Sequence, residues 1–213
     1  ARAIEDVTGQ LAQGLTPSRL RGEGRKTSHD VSVGECAAAF LALAEAKRID
    51  LGGVEVDDKR LGTSVLMARP GAVPERVALQ PDALVLVNSP TGPTVLLIEV
   101  DMGTTGLVPK LLRKFEGYLE WQRQGGCLAD FNVRSLRVLT LAPNERRLAK
   151  LHDTALKANG GKRSGFLLFG LLENVTVTNA ERIFGPSARQ LGSESTHRVP
   201  IVSRSFDSGA DAT

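Results

Sequence analysis

The chain has 213 residues, is 41% hydrophobic and carries a formal charge of +3 at pH 7. That is enough apolar material for a core, while runs such as TVLLIEV are too short to cross a bilayer and no signal peptide heads the sequence, so a cytoplasmic protein without membrane partners is expected. Cys36 and Cys127 indicate neither a disulfide framework nor a cysteine zinc site, and the mild positive charge permits polyanion binding without requiring it.

In chain order, ARAIEDVTGQLAQGL reads as a weak helix and TPSRLRGEGRKTS has linker composition. The first residue is not Met, which leads to the expectation of a larger N-terminal part. Asp30 caps a helix expected over 31–47, and IDLGGVEV follows as a strand. After a loop containing MARPGAVPER, strands near 77–87 and 94–101 form a hairpin around NSPTGP, whose Pro and Gly end both strands. A helix over 106–123, capped by Thr104 or Thr105 and ended by QGG, comes next. SLRVLTLA is a buried-type strand, PNERRLAKLHDTALKA a basic helix, GFLLFGLLENVTV a last strand, and RVPIVSRSFDSGADAT runs into a disordered tail. The order αβββαβαβ gives an α/β class. Three segments result: 1–28, a helix and linker; 29–202, the main domain; and 203–213, the tail.

The hairpin carries three carboxylates. Residues two apart on a strand share a face, so Glu99 and Asp101 project together, and antiparallel pairing brings Asp82, at the start of the partner strand, towards them. Three unpaired carboxylates at one sheet end require a cation, and hard oxygen ligands suit Mg²⁺ or Mn²⁺. The alternative is that Asp82 is a turn residue after Pro81 and that Glu99 and Asp101 pair with Lys or Arg at the sheet edge.

On the following helix, Leu107, Val108, Leu111, Leu112, Phe115 and Leu119 form one apolar arc. Lys114 falls at its margin, with Lys110 one turn earlier and further out and Tyr118 one turn later and further in. From there Lys114 either reaches the carboxylates or extends past the core to solvent. His29 beside Asp30 reads as a cap region, and Glu35 as a solvated helix residue, the alternative being an added metal ligand.

The residues Pro81-Asp82, then Glu99-x-Asp101 on the next strand, in an αβββαβ frame, resemble the PD-(D/E)XK, or restriction-endonuclease-like, superfamily. The resemblance implies a restriction-endonuclease-like core with a mixed central sheet flanked by helices over 29–202. The third motif position, usually Lys, is Asp101 here, and Lys114 is nominated in its place. More narrowly, PDALVLVN, IEVDMGTTGLVPKLLRKFEGYLEW and RVLTLAPNERRLAKLHDTA resemble the replication-relaxation family of plasmid and integrative-element proteins, linked to the MOBC conjugative relaxases. That family usually carries a winged-helix DNA-binding region, which here would precede Ala1.

The resemblance implies phosphodiester cleavage. Asp82, Glu99 and Asp101 would hold Mg²⁺ or Mn²⁺, Lys114 would orient water or neutralise the phosphorane, and Lys110, Arg113, Arg146, Arg147 and Lys150 would contact DNA phosphates. Tyr118 is the sole tyrosine and so the one candidate for a tyrosyl-DNA role, although its place in the apolar arc favours a packed residue with a hydrogen-bonded hydroxyl. The scattered His29, His152 and His197 exclude a histidine-cluster relaxase, and no phosphate-binding loop is present. The expected function is a metal-dependent DNA endonuclease or nickase, relaxase-like, in plasmid replication or conjugation. The alternative is a catalytically silent nuclease-fold module scaffolding a replication or transfer complex. Partners would be DNA, other replication or conjugation proteins, and a second copy in a homodimer.

Overall fold

The computed structural model describes residues 24–56, 62–68, 71, 73–89, 91–103, 108–193 and 197–202. They form helix α1 (Gly24–Glu45), strands β1 (Asp50–Val56), β2 (Thr63–Met67), β3 (Glu75–Leu79), β4 (Ala83–Ser89) and β5 (Gly92–Val100), and helices α2 (Val108–Arg123) and α3 (Gly126–Phe131). Strand β6 (Ser135–Ala142), helix α4 (Glu145–Ala158), strand β7 (Ser164–Leu171), 3₁₀ turns over Leu172–Asn174 and Val177–Phe184, and strand β8 (Ala188–Leu191) complete the chain.

Six strands make one mixed sheet in the order β1-β4-β5-β6-β7-β8, and β2 pairs with β3 separately. The pairs β5/β6 and β6/β7 are parallel and the other neighbours antiparallel. The class is therefore α/β, a mixed central sheet flanked by helices. Every residue of β5 from Val95 to Val100 is buried, so both faces of the sheet must be covered. Val33, Cys36, Ala37 and Phe40 of α1, at helical spacing, pack against Leu96, Ile98 and Val100. On the other face, Leu111, Phe115 and Tyr118 of α2 and Leu148 and Leu151 of α4 pack against Leu97 and Val138, with Leu79 of β3 in the same cluster.

Several boundaries differ from those read in the sequence. The expected strand 77–87 is two strands: β3 belongs to the small pair, and Pro81, with no N–H to donate, separates it from β4. Helix α1 starts at Gly24, so Asp30 lies inside it instead of capping it. The strand read over GFLLFGLLENVTV stops at Leu171. Beyond it the polar side chains take over the backbone, with Asn179 donating to the Glu173 carbonyl (2.8 Å). Strands β2 and β8 and helix α3 were not anticipated. Gly125, at φ 75°, ends α2 as expected but also opens α3. Residues 198–202, read as the end of the main domain, do pack onto it: Ile201 and Val202 are buried and Val199 bridges to Ala188. The candidate caps Thr104 and Thr105, and the segments 1–23 and 203–213, lie outside the described residues.

Gly117 sets how closely α2 approaches the small β pair, because a Cβ there would lie 2.8 Å from Leu79 Cδ2 and 3.2 Å from Val77 Cγ1. Gly117→Val should cost about 1–3 kcal/mol through overpacking. Gly34 in α1 has nothing within 4 Å of an added Cβ, so Gly34→Ala should stabilise by about 0.5–1 kcal/mol. Urea titration of both variants checks the contrast, and equal effects would show that α2 is not seated as described.

Candidate functional site

The alternation along β5 continues into the polar residues. Leu97 faces α2 and α4, and Glu99 follows on the same side. Glu99 is 6% exposed. Lys114 Nζ donates to its Oε2 and the Tyr118 hydroxyl to its Oε1. The two donors stand one turn apart on α2, the row that the helical periodicity outlines.

Burial pushes the Glu99 carboxyl above its ordinary range, opposed by the Lys114 charge. Burial alone would draw Lys114 down, but the Glu99 charge and hydrogen bond more than offset it, so the ammonium is held. The Tyr118 phenol is driven well above its usual value by burial and then by the Glu99 charge. Tyr118 is 0% exposed and acts as a neutral donor that orients Glu99; a free attacking phenolate is not what this environment makes.

Asp82 sits where Pro81 interrupts the strand. Its backbone N–H donates to the Ile98 carbonyl (2.9 Å), and its Oδ2 accepts from Val100 N–H (2.7 Å), so its side chain extends the ladder past the end of β4. The same oxygen lies 3.4 Å from His29 Nε2 on α1. The hydrogen bond to Asp82, working against burial, raises His29 to about 9. His29 is thus part of the site, and the cap reading for it fails because α1 runs through it.

Asp101 has a different partner. Arg147 donates to it from Nε (2.9 Å) and Nη2 (2.8 Å), and Gly103 N–H donates to Oδ1 (2.6 Å). The side chains of Arg147 and Asp101 are 11% and 9% exposed. The bridge forms because β5 and β6 run parallel, with Asp101 N–H on the Leu141 carbonyl (2.9 Å), and α4 starts just beyond β6 with Asn144 as its N-cap. Arg147, expected on DNA, is drawn into this buried pair instead.

A cleft of about 210 Å³ is lined by His29, Asp82, Glu99, Asp101, Lys110 and Lys114, among others, with Tyr118 and Thr140 behind them. Arg113, Arg146, Arg147 and Lys150 are not among its lining residues. Arg113 pairs with Glu75, while Arg146 and Lys150 are exposed on α4. Glu35 lines a separate hollow beside Cys36. Thr140 had no signal in the sequence beyond a hydroxyl inside an apolar strand.

In comparisons with known proteins, no family model, curated protein or solved structure matches the chain. No helix among the described residues is long and apolar enough to cross a membrane. Among those residues no group of three His, Cys, Asp or Glu side chains is placed to hold a metal ion. Asp82, Glu99 and Asp101 share one cleft, yet each faces its own cation: His29, Lys114 and Arg147 respectively.

Two outcomes follow. Arg147→Ala leaves Asp101 buried and uncompensated and should cost about 3–5 kcal/mol in denaturant unfolding; a loss below about 1 kcal/mol would mean that the pair is solvated. His29 is raised from 6.5 to about 9 in the fold, so its contribution is complete below pH 6.5 and is lost as pH rises through about 9. With chelator present, the thermal midpoint of the wild type should exceed that of His29→Gln at pH 6, and the gap should close by pH 10. A gap independent of pH would rule out the His29–Asp82 contact as its source.

Proposed function

We propose that the chain is a metal-dependent DNA endonuclease or nickase with a restriction-endonuclease-like core, relaxase-like and related to the replication-relaxation proteins of mobile elements. The observation that carries this reading is the convergence of Asp82, Glu99 and Lys114 on one cleft whose rim holds Lys110. Lys110 is exposed and forms no ion pair among the described residues, which leaves its charge for a phosphate.

Asp82 and Glu99 would hold Mg²⁺ or Mn²⁺. The donor set fits, because Mg²⁺ needs one or two carboxylates, completing its shell with water and substrate phosphate, and an ionised carboxylate has about four lone-pair sites, so the bonds Glu99 already accepts do not exhaust it. When bound, the ion lowers the pKa of a water and stabilises charge on the phosphoryl oxygens. Lys114 would neutralise developing phosphorane charge, while Tyr118 holds the Glu99 carboxylate and the Arg147–Asp101 bridge holds the end of β5 against α4. In hydrolysis the water oxygen bonds to phosphorus and the bond from phosphorus to one deoxyribose oxygen breaks with its electron pair. A water proton passes to solvent and the departing oxygen takes one up. Arg146 and Lys150 would touch flanking phosphates in a cytoplasmic, salt-sensitive complex.

A second reading has its own support. Glu99 and Asp101 are already neutralised by Lys114 and Arg147, as in a site that binds no ion, and this suits a silent nuclease-fold module scaffolding a replication or transfer complex.

The nuclease reading expects nicking of supercoiled plasmid with Mg²⁺ or Mn²⁺. Glu99→Gln should lower the rate by at least about 100-fold while DNA affinity holds or rises, and Lys114→Ala should lower the rate as well. Lys110→Ala should mainly weaken binding and reduce its salt slope by about 1. No nicking with any divalent ion would favour the scaffold, and nicking undiminished by Glu99→Gln would remove the site assignment.

A further inference from the structure

On β6, Val138 and Ala142 pack towards α2 and α4, and Leu139 and Leu141 towards α1. Thr140 lies on the α2 and α4 side, in a row where a valine of the same shape would bury no polar atom. It is 4% exposed, and its Oγ1 is buried with no hydrogen-bond partner. In the parallel register Thr140 stands beside Glu99, and both line the cleft. Adjacent strands are about 4.8 Å apart, which brings neighbouring side chains on one face within reach of each other. The hydroxyl is therefore a buried donor next to a buried carboxylate whose two oxygens are already served by Lys114 and Tyr118.

We propose that Thr140 is a positioning residue, a reserve donor that hydrogen-bonds Glu99 when Lys114 or Tyr118 lets go of it. Lys114 is the donor that a bound phosphate would draw off, and only this last step rests on the nuclease reading above. A carboxylate that lost its ammonium with nothing to replace it would be left buried and under-bonded, and its rotamer would be free to change. Thr140 supplies the replacement from the neighbouring strand.

The test is a pair of double-mutant cycles on the full chain, read by thermal unfolding without DNA or added metal. Thr140→Val alone should leave the midpoint unchanged or raise it slightly, because it removes an unsatisfied hydroxyl. In a Lys114→Met background the same change should lower the midpoint by roughly 2–4 °C or more, since a hydrogen bond to Glu99 is then lost. Tyr118→Phe provides a milder background should Lys114→Met not fold, with the same sign expected. Thr140→Ser, which keeps the hydroxyl, should behave as the wild type in either background. Additive effects in both cycles would overturn the proposal, whether or not the protein cuts DNA. If nicking is observed, Thr140→Val should lower kcat about 10-fold with KM unchanged. An unchanged kcat would overturn the catalytic part alone, while absence of nicking in the wild type would count against the nuclease reading and leave the cycles to decide this one.

Discussion

A carboxylate buried at the end of the central strand organises this molecule. Glu99 lies between the sheet and α2, and an isolated ionised carboxylate in such surroundings would be driven to protonate or to unfold its environment. Its two donors come from one helix, one turn apart, so satisfying it fixes the rotation of α2 about its axis as well as its distance from the sheet. The apolar residues Leu111 and Phe115 set the same rotation, and packing and polar satisfaction thus agree.

The other two carboxylates distribute the charge over the fold. Asp101 ties the end of β5 to the first turn of α4 through a bidentate arginine, and Asp82 meets a histidine on α1 across the opposite layer. Three helices are thereby fastened to one edge of the sheet, at the carboxyl ends of the parallel strands β5 and β6. Open α/β sheets commonly bind ligands at that edge. The cation pairs also explain how three acidic groups share a cleft.

How far this was legible in the sequence depends on the distance over which a residue acts. The shared face of Glu99 and Asp101 follows from the two-residue strand period, and the Lys110, Lys114 and Tyr118 row from the helical period; both are local rules, and all five residues line one cleft. The approach of Asp82 needed one further step, antiparallel pairing across a short loop, and Asp82 N–H does meet the Ile98 carbonyl. His29 and Arg147 were misread because their partners lie on elements brought together by topology, α1 over one face and α4 after a parallel crossover. Periodicity carries no information about such pairings. Pro81 lies inside the strand read over 77–87, and the proline separates two strands that the hydropathy pattern runs together.

The pairing also separates the charges by availability. Arg147 is committed to Asp101 in a bidentate bridge, and releasing it would break a charge pair that is largely shielded from water. Lys114 is different: its side chain is 35% exposed while Glu99 beneath it is nearly closed off, so the ammonium can turn towards the cleft more readily than the carboxylate can follow. Lys110, further out, meets solvent already. An anion entering the cleft therefore encounters a graded set of cations, first Lys110 and then Lys114, whereas Arg147 stays with the scaffold. On the nuclease reading a polyanion would be admitted without dismantling the bridge between β5 and α4, and the cost of admitting it would fall on Glu99, whose Lys114 partner is the one drawn off.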